Sequence, residues 1–236
     1  MGIQQQGQGG QLLQVDASHR AARFSARPLD HGTLGHYRLG VSTGLLTGAG
    51  VTAGGTLFSA RWTDATRLAV ITRLSAYYAV TTVFTAVQEL GLDAIIARSF
   101  TAADSSGTAI TLGGNNQKMR TNMGTSLFTS AAEVRIGATS IVTAGTRTLD
   151  ANAMIGASGI THDLNAAAAT VQLIATPKIG FDWVADPSIG EHPVVLAQNE
   201  GVVVRNTVVF PAAGAARLWV QMVWAEVASY DNAQLG

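Results

Sequence analysis

Residues 217–227 read Arg-Leu-Trp-Val-Gln-Met-Val-Trp-Ala-Glu-Val. Successive side chains of a strand point to opposite faces. From Leu218 onward this run, as a strand, puts Leu218, Val220, Met222 and Trp224 on one side and Trp219, Val223, Ala225 and Val227 on the other, with only Gln221 polar on the second side. A strand with one solvated face alternates apolar with polar residues, and this one does not. One face can enter a core. The other needs a further layer, supplied by the same chain or by a neighbour.

The rest of the chain carries the same bias. Hydrophobic residues make up 47% of the 236 and charged residues 13%, against roughly 25% charged in ordinary soluble domains. A membrane span does not account for it. The longest charge-free stretch, 39–60, is broken by Gly40, Gly44, Gly48, Gly50, Gly54 and Gly55, whereas a spanning helix needs about 20 predominantly apolar residues. Fifteen basic residues balance fifteen acidic ones, so there is no net field to attract nucleic acid or anionic lipid. Neither partner is expected. Among the basic residues only Lys118 and Lys178 are lysine. Arginine is the more weakly hydrated cation and lysine is depleted at interfaces, which fits a subunit with many neighbours. Cysteine is absent, which removes disulfides, thiolate metal sites and cysteine nucleophiles.

Strand signals dominate. Residues 34–41 place Tyr37, Leu39 and Val41 on one face, 56–62 alternate, and 68–82 are rich in the β-branched and aromatic types that suit a pleated surface. Residues 86–98 alternate through Leu90, Leu92, Ala94 and Ile96, although 88–97 could be a short helix. A strand is expected at 133–142 and a short one at 171–174. At the C-terminal end, strands are expected at 193–198, 202–210 and 217–227, separated by turns at 199–201 and 211–214. Residues 101–126 are rich in turn formers, 150–169 are Ala- and Gly-rich and poorly patterned, and 177–193 read as an excursion. Short strands, frequent Gly and Thr turns and little helix signal predict an all-β chain, an antiparallel β-sandwich of jelly-roll type. The expected organisation is a flexible N-terminal arm over 1–10, rich in Gln and Gly and without a secretory signal pattern, followed by a single domain over 11–236.

The search for chemistry returns little. Residues 48–53 match the spacing of a dinucleotide fingerprint, but Gly54, Gly55 and a strand follow where the motif needs a helix. Lys118 closes a Gly-rich stretch without the Ser or Thr of a phosphate loop. Residues 156–159 lack the spacing of a nucleophile elbow. The histidines at 19, 31, 36, 162 and 192 are scattered, and His31 and His36 fall on opposite faces of a strand unless Gly32 or Gly35 kinks it. His162 and Asp163 are strand neighbours that point apart. Asp182, Asp186 and Glu191 share a segment with Phe181 and Trp183, a combination that could bind sugar; the simpler expectation is a loop with solvated acids, anchored by its aromatics. Asp64 and Arg67 read as a local turn contact. No catalytic residue, cofactor or metal site is expected, and an enzyme is the last of the readings.

Several phrases carry a resemblance: 15–23 (Val-Asp-Ala-Ser-His-Arg-Ala-Ala-Arg), 58–67 (Phe-Ser-Ala-Arg-Trp-Thr-Asp-Ala-Thr-Arg), 114–121 (Gly-Asn-Asn-Gln-Lys-Met-Arg-Thr), 200–205 (Glu-Gly-Val-Val-Val-Arg) and 220–226 (Val-Gln-Met-Val-Trp-Ala-Glu). In texture the chain resembles structural proteins of tailed-phage virions, of the capsid-decoration or minor-capsid type. The resemblance spans most of the chain and rests on no catalytic motif. It implies a non-enzymatic virion component made in the host cytoplasm. Its expected form is a homo-oligomer, a trimer in preference, that cements a phage head by contacts with the major capsid protein or other virion proteins. The alternative is a neck, tail or fibre-associated sandwich, including a module that binds host glycan through 177–193. Contact candidates are Gln4, Gln5 and Gln6 in the arm, Asn115, Asn116 and Lys118 in the polar loop, Trp183 in the excursion and Trp219 on the two-faced strand.

Overall fold

Alternation of apolar side chains resolves into two antiparallel sheets packed face to face. The computed structural model describes residues 35–82, 84, 88–112, 117–161, 179–186, 191–210 and 214–228, all within the unit His31–Gly236. In chain order the strands are β1 (Gly35–Ser42), β2 (Leu46–Thr47), β3 (Thr56–Trp62), β4 (Leu68–Thr82), β5 (Gln88–Arg98), β6 (Thr108–Ala109), β7 (Val134–Ile136), β8 (Thr148–Leu149), β9 (Ile155–Thr161), β10 (Ile179–Val184), β11 (Val194–Leu196), β12 (Glu200–Asn206) and β13 (Ala215–Val227). No helix among the described residues is long and apolar enough to cross a membrane.

The first sheet runs β1-β13-β4-β10, with β11 also on β4 and β2 on β13; the second runs β6-β7-β3-β12-β5-β8, with β9 also on β5. Eight longer strands set the topology. Taken in order, β1 pairs with β13, β3 with β12, β4 with β10 and β5 with β9. First thus meets last, second meets seventh, third meets sixth and fourth meets fifth. This is a long antiparallel ribbon, and its two halves wrap so that β13 also pairs with β4 and β12 with β5. That is the jelly roll, as the sequence predicted.

The inner faces meet as expected. Leu218, Val220, Met222 and Trp224 of β13 join Tyr37 and Leu39 of β1 and Leu74, Ala76 and Tyr78 of β4 in one core with Phe58, Ala60, Trp62, Leu90, Leu92, Val202 and Val204 of the second sheet. Aromatic rings close one end. Phe128 packs edge-on against both Trp62 and Trp224, at 4.9 and 5.5 Å between centroids, and Trp224 stacks on Tyr37. Inside the core, the Tyr78 hydroxyl donates to Asn206 Oδ1 at 2.8 Å, which satisfies two buried polar groups together.

Several expectations need correction. The strand expected at 133–142 covers only Val134–Ile136. After it the chain turns back, so that Ile141 N donates to Gly50 O and Val142 N to Thr56 O. The excursion at 177–193 contains β10, whose Ile179, Phe181 and Trp183 are buried while Asp182 and Val184 are exposed. The poorly patterned stretch contains β9, and the ambiguous 86–98 is strand from Gln88. The expected strand 202–210 begins at Glu200 and ends at Asn206. The expected 171–174 strand and the 1–10 arm lie outside the described residues. Consecutive C-terminal strands do not pair with one another: β11 and β13 belong to the first sheet and β12 to the second.

Candidate interaction face

The two sheets treat their outer faces differently. On the second sheet the chain supplies its own cover. Val203 of β12, Ile95 and Ala97 of β5 and Phe100 form a small second core on the outside, with Leu149 against it. The segments around 99–109 and 137–150 lie over this layer and are tied down by charge. Arg147 pairs with Asp104 in full burial, with side chains 5% and 1% exposed, donates to Thr56 Oγ1, and sits over the Phe100 ring at 5.2 Å. Arg61 donates to the carbonyls of Phe100 and Thr101 at 2.5 and 2.8 Å. Gly201 is needed here, because a Cβ would overlap the Ala60 carbonyl and stand 2.8 Å from the Phe100 ring. Two further arginines of this sheet are paired, Arg205 with Asp93 and Arg98 with both Asp150 and Glu200, and Arg135 donates to the Ser106 carbonyl.

The first sheet has a different outer face. Register places its outward residues in rows. Ser42, Trp219 and Tyr77 form one row, with Gly180 beyond Tyr77. Gly40, Gln221, Ser75 and Asp182 form the next, followed by Arg38, Val223, Arg73 and Val184. Trp219 is 42% exposed in the middle of a central strand, and Val184 is 49% exposed. Arg73 holds Asp182 with two parallel bonds at 2.9 and 2.6 Å, a fork-to-carboxylate geometry. Arg38 donates to the neutral Gln221 Oε1 at 3.3 Å. The free edge of β1 is partly covered, because Arg38 N donates to Gln117 O and Met119 N to His36 O. This places Lys118 opposite Tyr37 as a one-residue bridge.

No family model, curated protein or solved structure matches this chain. The reading of the site therefore rests on its own residues. Trp219 stands on the open face, in register with Ser42, and Lys118 lies at the border of the same sheet opposite Tyr37, so the two contact candidates share a sheet without meeting. Trp183 does not join them. It is 9% exposed, points into the core, and donates from Nε1 to Glu191 Oε1 at 2.9 Å. Its strand puts it on the inner face, where no ligand can stack. Gln4, Gln5, Gln6, Asn115 and Asn116 lie outside the described residues. Arg38 and Arg217, both exposed on this face, were missed in the sequence. Their signal was present in the alternation of β1 and β13, but it becomes readable only once those strands are known to be neighbours.

The carboxylates of the sugar-site reading are engaged elsewhere: Asp182 with Arg73 on the outer face, and Glu191 with the Trp183 indole. Among the described residues no group of three His, Asp or Glu side chains could hold a metal. Residues 48–53 form a single 3-10 turn, Gly48–Gly50, and lead toward β3 rather than into a helix. Asp64 makes the expected local turn, through bonds from the Thr66 and Arg67 amides at 2.8 Å rather than an Arg67 ion pair. Burial acts to raise its pKa, but these bonds and the Arg67 charge hold it below the ordinary value.

The buried acid Glu226 has no ion-pair partner among the described residues. Glu226 is 1% exposed. It accepts from Ser126 Oγ at 2.7 Å, from Leu127 N at 3.0 Å and from Trp224 Nε1 at 3.1 Å. Burial pushes its pKa up; the three donors oppose the shift, and the charge of Asp64 adds to it. Burial, with the charge of Glu226, pushes the Tyr37 hydroxyl up to about 12. This cluster holds the segment carrying Phe128 over the aromatic end of the core.

Proposed function

We propose that this chain is a structural virion protein, a decoration subunit that cements a tailed-phage head, and that it acts by binding rather than by catalysis. One observation carries the reading. Among the described residues, loops cover the outer face of one sheet, and the other keeps an exposed tryptophan in mid-strand. Tryptophan and arginine dominate the energetic centres of protein interfaces, and this face holds both. The jelly roll is compatible with the role without implying it. The resemblance of the sequence phrases to virion proteins points the same way, as do the low charge and the balance toward arginine.

In this reading the subunits are homo-oligomeric, with a trimer favoured, and seat on the major capsid protein or its virion neighbours. A stable contact of this kind buries about 1,600 Å² in total, and several copies linked in one oligomer strengthen one another. The glycan-binding alternative through 177–193 loses its stacking platform, since Trp183 faces the core.

The test is imaging of intact particles. Hundreds of copies on the shell are the expected result. A few copies confined to a vertex, neck or tail would overturn the decoration role.

A further inference from the structure

The charge on the open face is unbalanced. Its outward residues include Arg38 on β1, Arg217 on β13 and Arg73 on β4, against Asp182 on β10. Three cations and one anion give +3 − 1 = +2 among the described strand residues of this face. Arg73 is spent on Asp182. Arg38 meets only a neutral amide, Gln221, and Arg217 has no acidic partner among the described residues. On the other sheet Arg205, Arg98 and Arg147 are each matched by a carboxylate, while Arg61 and Arg135 donate to backbone carbonyls of its covering segments. The whole chain is neutral, so this excess is local. It also brackets Trp219, which lies two residues beyond Arg217 and two before Gln221, the side chain that holds Arg38.

From this pattern we infer that the outer face of the β1-β13-β4-β10 sheet is the surface that seats on the particle, and that its partner there is an acidic protein surface. Carboxylates of the partner meet Arg38 and Arg217 on either side of an apolar contact with Trp219. Arginine suits the role because its planar fork matches a carboxylate and sheds water readily. The two cations guide encounter and fix register, while the indole supplies the desolvated centre. The inference rests on the decoration reading, whose failure is separable in the test.

Trp219 provides its own reporter. Of the four tryptophans, Trp62 and Trp224 are fully buried and Trp183 is 9% exposed. Acrylamide quenching of the full-length chain therefore reads Trp219. Shells assembled without this chain are the first probe and poly-L-glutamate is the second. Bound shells are expected to protect Trp219 from the quencher. Trp219→Ala is expected to weaken binding at least about tenfold. Arg38→Glu with Arg217→Glu is expected to weaken it further at low salt and to flatten its salt dependence.

If shells bind the chain while Trp219 stays quenchable and the double variant binds as the wild type does, this face is the wrong one and the decoration reading stands. If shells do not bind the chain, the decoration reading falls and poly-L-glutamate decides the face. Protection of Trp219 at low salt that vanishes in the double variant keeps it; no protection overturns it. Protection that rises with chain concentration alone makes a second copy the occupant and overturns the proposal. Protection by neutral dextran also overturns it.

Discussion

The Trp224 indole donates to the Glu226 carboxylate, two residues along the same strand, at 3.1 Å. Ser126 and Leu127 complete the cradle without any cation. Burial raises the folded-state pKa of Glu226 above its ordinary 4.5. The folded chain thus holds this proton to higher pH than the unfolded chain does. The contribution to stability is complete below about pH 4.5 and is lost as pH rises through the raised value. Melting temperatures of the wild type and Glu226→Gln, measured from pH 4 to 8, should diverge over that window. The wild type should lose stability with rising pH relative to the variant; parallel curves would contradict a raised pKa. Glu226→Ala leaves three donors unpaired and should cost about 3 kcal/mol.

Trp183 and Trp219 make a matched pair of opposite expectation. Trp183→Ala removes a core side chain and should destabilise by about 3–5 kcal/mol. Trp219→Ala removes a side chain from the open face and should change stability by no more than about 0.5 kcal/mol. Urea denaturation of the two variants checks both. A large loss in the second would mean that Trp219 holds the fold together.

The cover over the second sheet depends on the buried Arg147–Asp104 pair. Arg147→Ala leaves a buried carboxylate uncompensated and should cost about 3–5 kcal/mol. Arg147→Lys should recover only part of this, because an ammonium cannot reach Asp104 and Thr56 together as the guanidinium does. Hydrogen exchange should rise at the amides of Ser105 and Thr143, which exchange hydrogen bonds within the cover, before it rises in β12.

Gly201→Ala tests how closely that cover sits. The added methyl meets the Ala60 carbonyl and the Phe100 ring. Overpacking of this kind should cost about 1–3 kcal/mol, read as a lower denaturation midpoint with an unchanged slope. A neutral result would mean that the Phe100 segment gives way freely.

Most of the longer strands were legible because alternation is a local signal. Tyr37, Leu39 and Val41, and the apolar run of β13, declare their faces without help from tertiary structure. Two strands escaped for identifiable reasons. β9 is Ile-Gly-Ala-Ser-Gly-Ile-Thr, whose small residues carry almost no pattern; a Cβ at Gly159 would stand 3.0 Å from the Ile179 side chain. β10 did alternate, through Phe181 and Trp183, but Pro177, Pro187 and the acids around it imitate a loop. For the same reason Trp183 reads as a contact residue from the sequence alone. Arg38 and Arg217 were invisible as a pair because 179 positions separate them (217 − 38).

The sequence alone determined that β13 is largely apolar on both faces, because the pleat assigns faces residue by residue, and a strand of that kind cannot meet water on either face without cost. It also determined the sandwich and its strand-rich, low-charge character. Only the tertiary structure decided which outer face is closed by the chain itself. That choice depends on pairing between distant segments, β3 with β12 and β1 with β13. A period of two fixes the side of a strand but not its neighbour. Long-range pairing carried the 99–109 and 137–150 segments over the second sheet, and it left Trp219, between Arg38 and Arg217, on the open face of the first.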